Sequence, residues 1–429
     1  MSRSRRGLRI LVVSPQLPRP ASSGFATRVF ELVRHLASRH SLTVLCHESH
    51  EASADEPLHE ICEVMALPSR DVAPATRRLS QALSLASPTP FHARHVATRP
   101  MQRALHSLLR STPFDIVQFE SSQLSPLGLP SGVATVFDEH NIEYELLDRM
   151  AHGEASALRR TFNDIEHRKF AGIERRAWRD ADACAVTSLR EAHIVKDYAP
   201  MTPVAVVPNA VDLDYFAPRH GSPSADSMVF TGILTYRPNL DAALHLTRTL
   251  FPMIASRRPG ATLTVVGHGR AADLDKLRGP GVTVTGKVPD VRPYLATASV
   301  VVTPLRMGGG TRLKVLEALA MAKPVVSTSL GSEGIAVTPG EHLLIADEDE
   351  VFSDLVAHLL RDPAKRDELG SAGRSLVRDK YSWEAASERL EGLHAMALRR
   401  SSGRVSGRRT GARTLVGLHG VSTSTQPAR

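Results

Sequence analysis

Three glycines, a threonine, two cations and an acid follow one another in Met307-Gly308-Gly309-Gly310-Thr311-Arg312-Leu313-Lys314-Val315-Leu316-Glu317. Glycines let a ligand approach the backbone closely, and free amides at a helix N-terminus hold anions such as a diphosphate. Arg312 and Lys314 add positive charge at that point. Glu317 stands three residues after Lys314, hence on nearly the same helix face and about one turn further from the phosphates. There its carboxylate can accept hydrogen bonds from two ribose hydroxyls. The same residues also suit a plain glycine turn followed by a surface Glu–Lys pair, so the surrounding elements must decide.

Those elements are strands alternating with helices. The apolar run 300–303 leads into the glycines, a helical pattern covers 311–321, Pro324 stops it, and 324–327 reads as the next strand. Upstream, strands at 228–230, 262–266 and 282–285 alternate with helices at 240–254, 271–277 and 291–296. Strict alternation implies a parallel sheet covered on both faces. The first half begins the same way, with a strand at 8–13, a Pro- and Ser-rich loop at 15–23, a helix carrying Phe25, Val29, Leu32, Val33 and Leu36, and a strand at 42–45. Further strands are predicted at 116–119, 135–137, 183–187 and 204–207. The stretch 74–100 reads as a surface excursion, 155–183 as a basic helix with a solvated face, and 349–360, 365–380 and 384–398 as closing helices. The fold class is therefore α/β, with two doubly wound parallel-sheet domains facing a cleft. Ligands of such sheets sit beyond the C-terminal ends of the strands.

Composition bounds the rest. The 429 residues exceed what one core usually supports. Cys46, Cys62 and Cys184 form neither a Cys-x-x-Cys pair nor a disulfide framework, which suits a reducing cytoplasm. The run 10–13 ends at Pro15, too short for a signal peptide, and no stretch approaches the length of a membrane span. The net charge of +8 with only 5% aromatics carries no nucleic-acid signature. Much of that charge sits at the ends: Arg3, Arg5, Arg6 and Arg9, then Arg399 through Arg429 with no acid after Glu391. A disordered basic tail is expected there, with attraction to an anionic membrane surface as the functional alternative. Asp212-Leu213-Asp214 is read as structural, and no metal site is expected.

The run from Pro304 through Glu317-Ala318 to Lys323-Pro324-Val325-Val326-Ser327-Thr328 resembles the donor motif of family-four (group 1) GT-B glycosyltransferases. Other segments agree in order and spacing: Val207-Pro208-Asn209-Ala210-Val211-Asp212 through Phe216 and Pro218, Val265-Val266-Gly267-x-Gly269, Thr285-Gly286-Lys287-Val288, Tyr381-Ser382-Trp383, residues 15–28, and Asp138-x-His140-Asn141-x-Glu143-Tyr144. The resemblance covers about residues 8–398. It implies a GT-B fold of Rossmann-like domains: 1–208 binding the acceptor, 209–385 binding the nucleotide sugar, 386–400 a helix packing back on the first domain, and 401–429 the tail.

The implied reaction is transfer of a hexosyl group from a nucleoside diphosphate sugar to an acceptor hydroxyl, with retention, in cell-envelope polysaccharide or glycolipid synthesis. The donor is a substrate, so no cofactor is implied. The acceptor is a glycan or lipid-linked, and the location cytoplasmic, peripheral at the inner face of the membrane. Glu317 matches the ribose-binding glutamate, Lys287 and Val288 the turn at the base, Gly24 the first-domain loop near the phosphates, and His140 a loop histidine facing the transferred sugar, unless that histidine only holds its loop. Gly267, Gly308, Gly309, Gly310 and Thr311 complete the donor site. The sequence departs from the pattern where Gly309 replaces a glutamate that binds sugar hydroxyls, and where Ile233 and Asn239 replace an arginine and a lysine. Arg312 and Lys314, with Arg237, are the nearest substitute cations. A GT-B sugar-nucleotide epimerase and a catalytically degenerate nucleotide-binding partner subunit are the rival readings.

Overall fold

The computed structural model describes residues 7–19, 24–48, 57–69, 81, 83–152, 157–219, 224–308 and 312–416. Gly309, Gly310 and Thr311 lie outside the described residues. Two parallel sheets organise the chain. The first comprises β1 (Arg9–Val13), β2 (Ser41–His47), β3 (Glu63–Leu67), β4 (Ile116–Glu120), β5 (Ala134–Glu139), β6 (Ala183–Val186) and β7 (Val204–Val206), in the order β3-β2-β1-β4-β5-β6-β7. The second comprises β8 (Ser227–Thr231), β9 (Thr262–Val266), β10 (Val282–Gly286), β11 (Val300–Thr303), β12 (Val325–Ser327) and β13 (Leu344–Ile345), in the order β10-β9-β8-β11-β12-β13.

Sheets covered on both faces need apolar side chains on both faces, which is why the central strands read as unbroken apolar runs. In β1, Ile10 and Val12 join the core beneath helix Gly24–Ala37, while Leu11 and Val13 join the opposite core with Trp178 and Phe119. In the second sheet Phe230, Val300 and Val302 face one layer, and Val229 and Val301 the other. Each strand order reverses once, between β1 and β4 and between β8 and β11. The loops leaving those four strands diverge to opposite faces and open a crevice.

Several elements differ from the sequence expectation. The helix expected over 240–254 is Arg237–His245 and Phe251–Arg257 joined by a π-turn, Leu246–Leu250. Pro252 has no amide proton to give to the carbonyl four residues back, so the regular ladder cannot run through it. The short edge strands β3 and β13 and helix Arg99–Ser111 emerge only in the structure. The basic helix is Ala157–Asp180, and its faces divide by sign. Arg159, Arg160, Arg168, Arg176 and Arg179 are exposed, whereas Glu166 and Glu174 are buried. The last helix, Trp383–Val416, runs past residue 401, where regular structure was expected to end. Arginine favours helix, and no proline interrupts before Pro427.

That last helix packs on the first sheet's side of the molecule. Trp383, Ala386, Leu390, Leu393 and Ala397 share a core with Ile10, Val12 and Leu36. Glu391 accepts hydrogen bonds from Arg39 Nε at 2.6 Å and His40 Nε2 at 2.9 Å, and buried His394 bonds Gln118 at 2.7 Å.

Beneath the loop after β5, Glu139, Glu143 and Glu174 are packed together. Glu139 accepts from Trp178 Nε1 at 2.8 Å and from the Ser122 amide at 3.1 Å, and Glu174 from the Glu143 and Tyr144 amides at 2.9 and 2.8 Å. Burial pushes the Glu139 carboxyl up to about 8, against the two hydrogen bonds. A carboxyl with a raised folded-state pKa gives its stability fully below the unfolded value and loses it as pH rises through the folded one. Stability should therefore decline from about pH 4.5 to about 8. In urea titrations Glu139→Gln should be less stable than the natural protein at pH 5, by about 1 kcal/mol for the lost amide bond, and should close that gap by pH 8. A gap independent of pH would refute the assignment.

Candidate functional site

The second sheet's crevice is built where backbones come closest. Gly232 follows β8 and Gly267 follows β9, and a Cβ on Gly267 would lie 1.8 Å from the Gly232 carbonyl oxygen. No side chain fits there. Gly308, at φ +110°, lies between Pro238 and the Arg312 guanidinium, each 3.3 Å from where its Cβ would be.

Helix Leu313–Ala320 presents its polar residues to these loops. Lys314 Nζ donates to Asn239 Oδ1 at 2.7 Å and lies 4.5 Å from the centre of the Phe230 ring. Asn239 Nδ2 donates in turn to the Ile233 carbonyl at 3.0 Å. Burial, with Arg312 nearby, lowers the Lys314 ammonium to about 7. Burial likewise raises the Glu317 carboxyl to about 7, with Lys314 opposing. Glu317 is partly buried, and no described residue donates a hydrogen bond to its carboxylate. Arg312 stands just before the helix, is 7% exposed, and donates from Nε to the Leu330 carbonyl, 3.3 Å away.

A second constellation ends β4 and β5. Arg28, fully buried, donates to both oxygens of Asp138, at 3.1 and 2.8 Å, and to Asn209 Oδ1 at 3.1 Å. Burial alone would raise the Asp138 carboxyl, but the guanidinium overrides it and holds Asp138 below the usual carboxylate range. His140 Nε2 bonds Glu120 Oε2 at 2.9 Å and stacks on Phe25, ring centres 4.3 Å apart. Glu120 has its carboxyl raised by burial, with the His140 hydrogen bond opposing. Glu120, Asp138 and His140 offer ligand atoms within 4.8 Å of one another. Arg28 already occupies both Asp138 oxygens and supplies the positive charge a metal ion would bring, so this set does not fit a cation.

The two constellations face each other. A Cβ on Gly24 would sit 3.5 Å from the Leu313 side chain, and Arg190 lies 3.9 Å from Glu333. Two family models match in tandem, "Glycosyltransferase Family 4" over residues 22–215 and "Glycosyl transferases group 1" over 225–362. The chain belongs to the group 1, family-four glycosyltransferases. A solved sucrose-phosphate synthase from Thermosynechococcus elongatus superposes with a TM-score of 0.68 at 17% identity, covering 90% of this chain and 98% of that one, and the fold is GT-B.

Among curated relatives, a Corynebacterium glutamicum protein named as a GDP-mannose-dependent monoacylated alpha-(1-6)-phosphatidylinositol monomannoside mannosyltransferase is 33% identical over 33% of this chain. A Mycolicibacterium smegmatis GDP-mannose-dependent alpha-(1-6)-phosphatidylinositol monomannoside mannosyltransferase is 28% identical over 51% of it. The chain spans 41% and 63% of these two relatives.

Of the residues singled out in this family-four chain, Gly267, Gly308, Arg312, Lys314 and Glu317 line the loops and helix at one crevice. Lys287 and Val288 follow β10, on the edge side of β9, and Arg237 is exposed at the start of its helix. Gly24 opens helix Gly24–Ala37, and His140 is 6% exposed and hydrogen bonded to Glu120. Arg28, Glu120 and Phe25 carry no local signal, because the partners described above are 20 to 181 residues away in sequence. Asn239, noted in the sequence only as a departure from the family pattern, is the acceptor that holds Lys314.

Proposed function

We propose that this protein transfers a hexosyl group from a nucleoside diphosphate sugar to an acceptor hydroxyl. One observation carries the reading: three glycine loops, two cations and a carboxylate with no hydrogen-bond donor among the described residues meet at and beside the topological switch point of the second sheet. In this reading Glu317 accepts from the ribose hydroxyls, Lys287 and Val288 border the base, and residues 308–311 approach the diphosphate. Arg312 and Lys314 stabilise the charge that develops on the leaving diphosphate. Arg237 borders the same loop, and Gly24 brings the first domain to the phosphates.

His140, oriented by Glu120, faces the transferred sugar. Transfer proceeds with retention by front-face displacement, in which a donor phosphate oxygen takes the acceptor proton, and needs neither a metal ion nor a protein nucleophile. The named activities of the relatives support GDP-mannose as first donor and a lipid-linked glycan of the cell envelope as acceptor. No helix among the described residues is long and apolar enough to cross a membrane. The basic ends suit a peripheral site at the inner, anionic face, and cosedimentation with anionic vesicles that weakens as salt rises would show it.

Incubation with GDP-, UDP- and dTDP-sugars tests the reaction. Slow release of free hexose and nucleoside diphosphate from one donor is expected, with hexosyl transfer once the acceptor is supplied. An epimerised sugar nucleotide as product, or tight binding with no turnover under any condition, would overturn it.

A further inference from the structure

The ammonium of Lys314 is held by residues that have no charge of their own. After β8 the chain runs Gly232-Ile233-Leu234-Thr235-Tyr236, without a cation. Lys314 reaches Asn239, just past that loop, from a different element, helix Leu313–Ala320, 75 residues further on. Three contacts fix where its nitrogen sits. Asn239 Oδ1 accepts from it at 2.7 Å, the Phe230 ring centre lies 4.5 Å away, and a Cβ on Gly232 would stand 2.8 Å from it. Asn239 is itself locked, 9% exposed, with Nδ2 donating to the Ile233 carbonyl at 3.0 Å. A lysine has four rotatable stem bonds and a strongly hydrated head, so in an open loop it would not keep one position. Here its position is set by a neutral acceptor, an aromatic face and the absence of a methyl group.

We infer that Gly232 and Asn239 are positioning residues which aim the Lys314 ammonium at the diphosphate of the nucleotide, replacing a cation that the loop after β8 lacks. This rests on the donor-site reading given above. Asn239 brings no charge of its own, since an amide oxygen accepts one hydrogen bond from the ammonium without neutralising it. The other two donors of the ammonium remain for phosphate oxygens. An aspartate at 239 would form an ion pair and compete with the phosphates, and a side chain at 232 would fill the space the nitrogen occupies.

The test uses the full-length protein and calorimetric binding of GDP, UDP, guanosine and uridine. The ratio of diphosphate to nucleoside affinity isolates the phosphate contribution from that of base and ribose. Lys314→Met should lower this ratio at least tenfold, leaving nucleoside affinity within twofold. Gly232→Ala adds a methyl whose three nearest neighbours are side-chain atoms, the Lys314 nitrogen and the Asn239 amide, rather than backbone, so it should fold and lower the ratio severalfold. Asn239→Asp should lower it further than Asn239→Ala. The transposed pair Asn239→Lys with Lys314→Asn should recover most of the natural ratio, which a merely structural role would not produce. An unchanged ratio in Lys314→Met or in Gly232→Ala overturns the inference, as does failure of the transposed pair beside folded single variants. A natural protein that binds the diphosphates and transfers nothing defeats the transferase reading alone. One that binds no diphosphate defeats both.

Discussion

Replacing Arg28 by alanine is expected to destabilise the protein by about 3–5 kcal/mol, the usual cost of stranding one member of a buried ion pair. Arg28 and Asp138 are both wholly buried. Without the guanidinium, Asp138 must take up a proton or remain an uncompensated charge, and Asn209 Oδ1 loses the hydrogen bond from Arg28. Since Asp138 is held below the usual range by Arg28, the loss should be largest at neutral pH and shrink as the solution is acidified. Urea denaturation at pH 7 and pH 5 measures this. A partner variant, Arg28→Met with Asp138→Leu, should recover most of the loss, because two apolar groups of similar shape need no partner. A loss below 1 kcal/mol in Arg28→Ala with an unchanged denaturant slope would show that water replaces the guanidinium.

The second large effect concerns the ribose. Glu317→Ala should weaken nucleoside diphosphate binding roughly a hundredfold, since hydrogen bonds to a charged acceptor contribute about 1.5–3 kcal/mol each. Deoxynucleotides make the measurement specific. The natural protein should prefer GDP to its 2′-deoxy and 3′-deoxy forms, and Glu317→Ala should bind all three alike. If the variant still distinguishes them as the natural protein does, Glu317 does not touch the ribose.

The two predictions draw on residues of different legibility. The placement of Glu317 beside the cations was readable because it is local: a glycine run, two cations and a helix register place it within a dozen residues. The same locality made the strands 262–266 and 300–303 readable to the residue. Arg28 was unreadable, because a buried arginine looks like any helical arginine until the strand 110 residues away supplies its carboxylate. Lys314 falls between: its helix face followed from spacing, while Asn239 entered only as a departure from the family pattern. The short edge strands escaped because two to four apolar residues carry too little periodicity to separate strand from loop.

The closing helix also bears on how the protein is made. Its residues Trp383, Leu390 and Leu393 complete a core whose other members begin at Ile10. During synthesis the first sheet emerges before the second, yet that face stays uncovered until the helix beyond the second sheet has left the ribosome. A nascent chain halted anywhere in the second sheet would display this open apolar face, and chaperone demand should peak there rather than at the domain boundary.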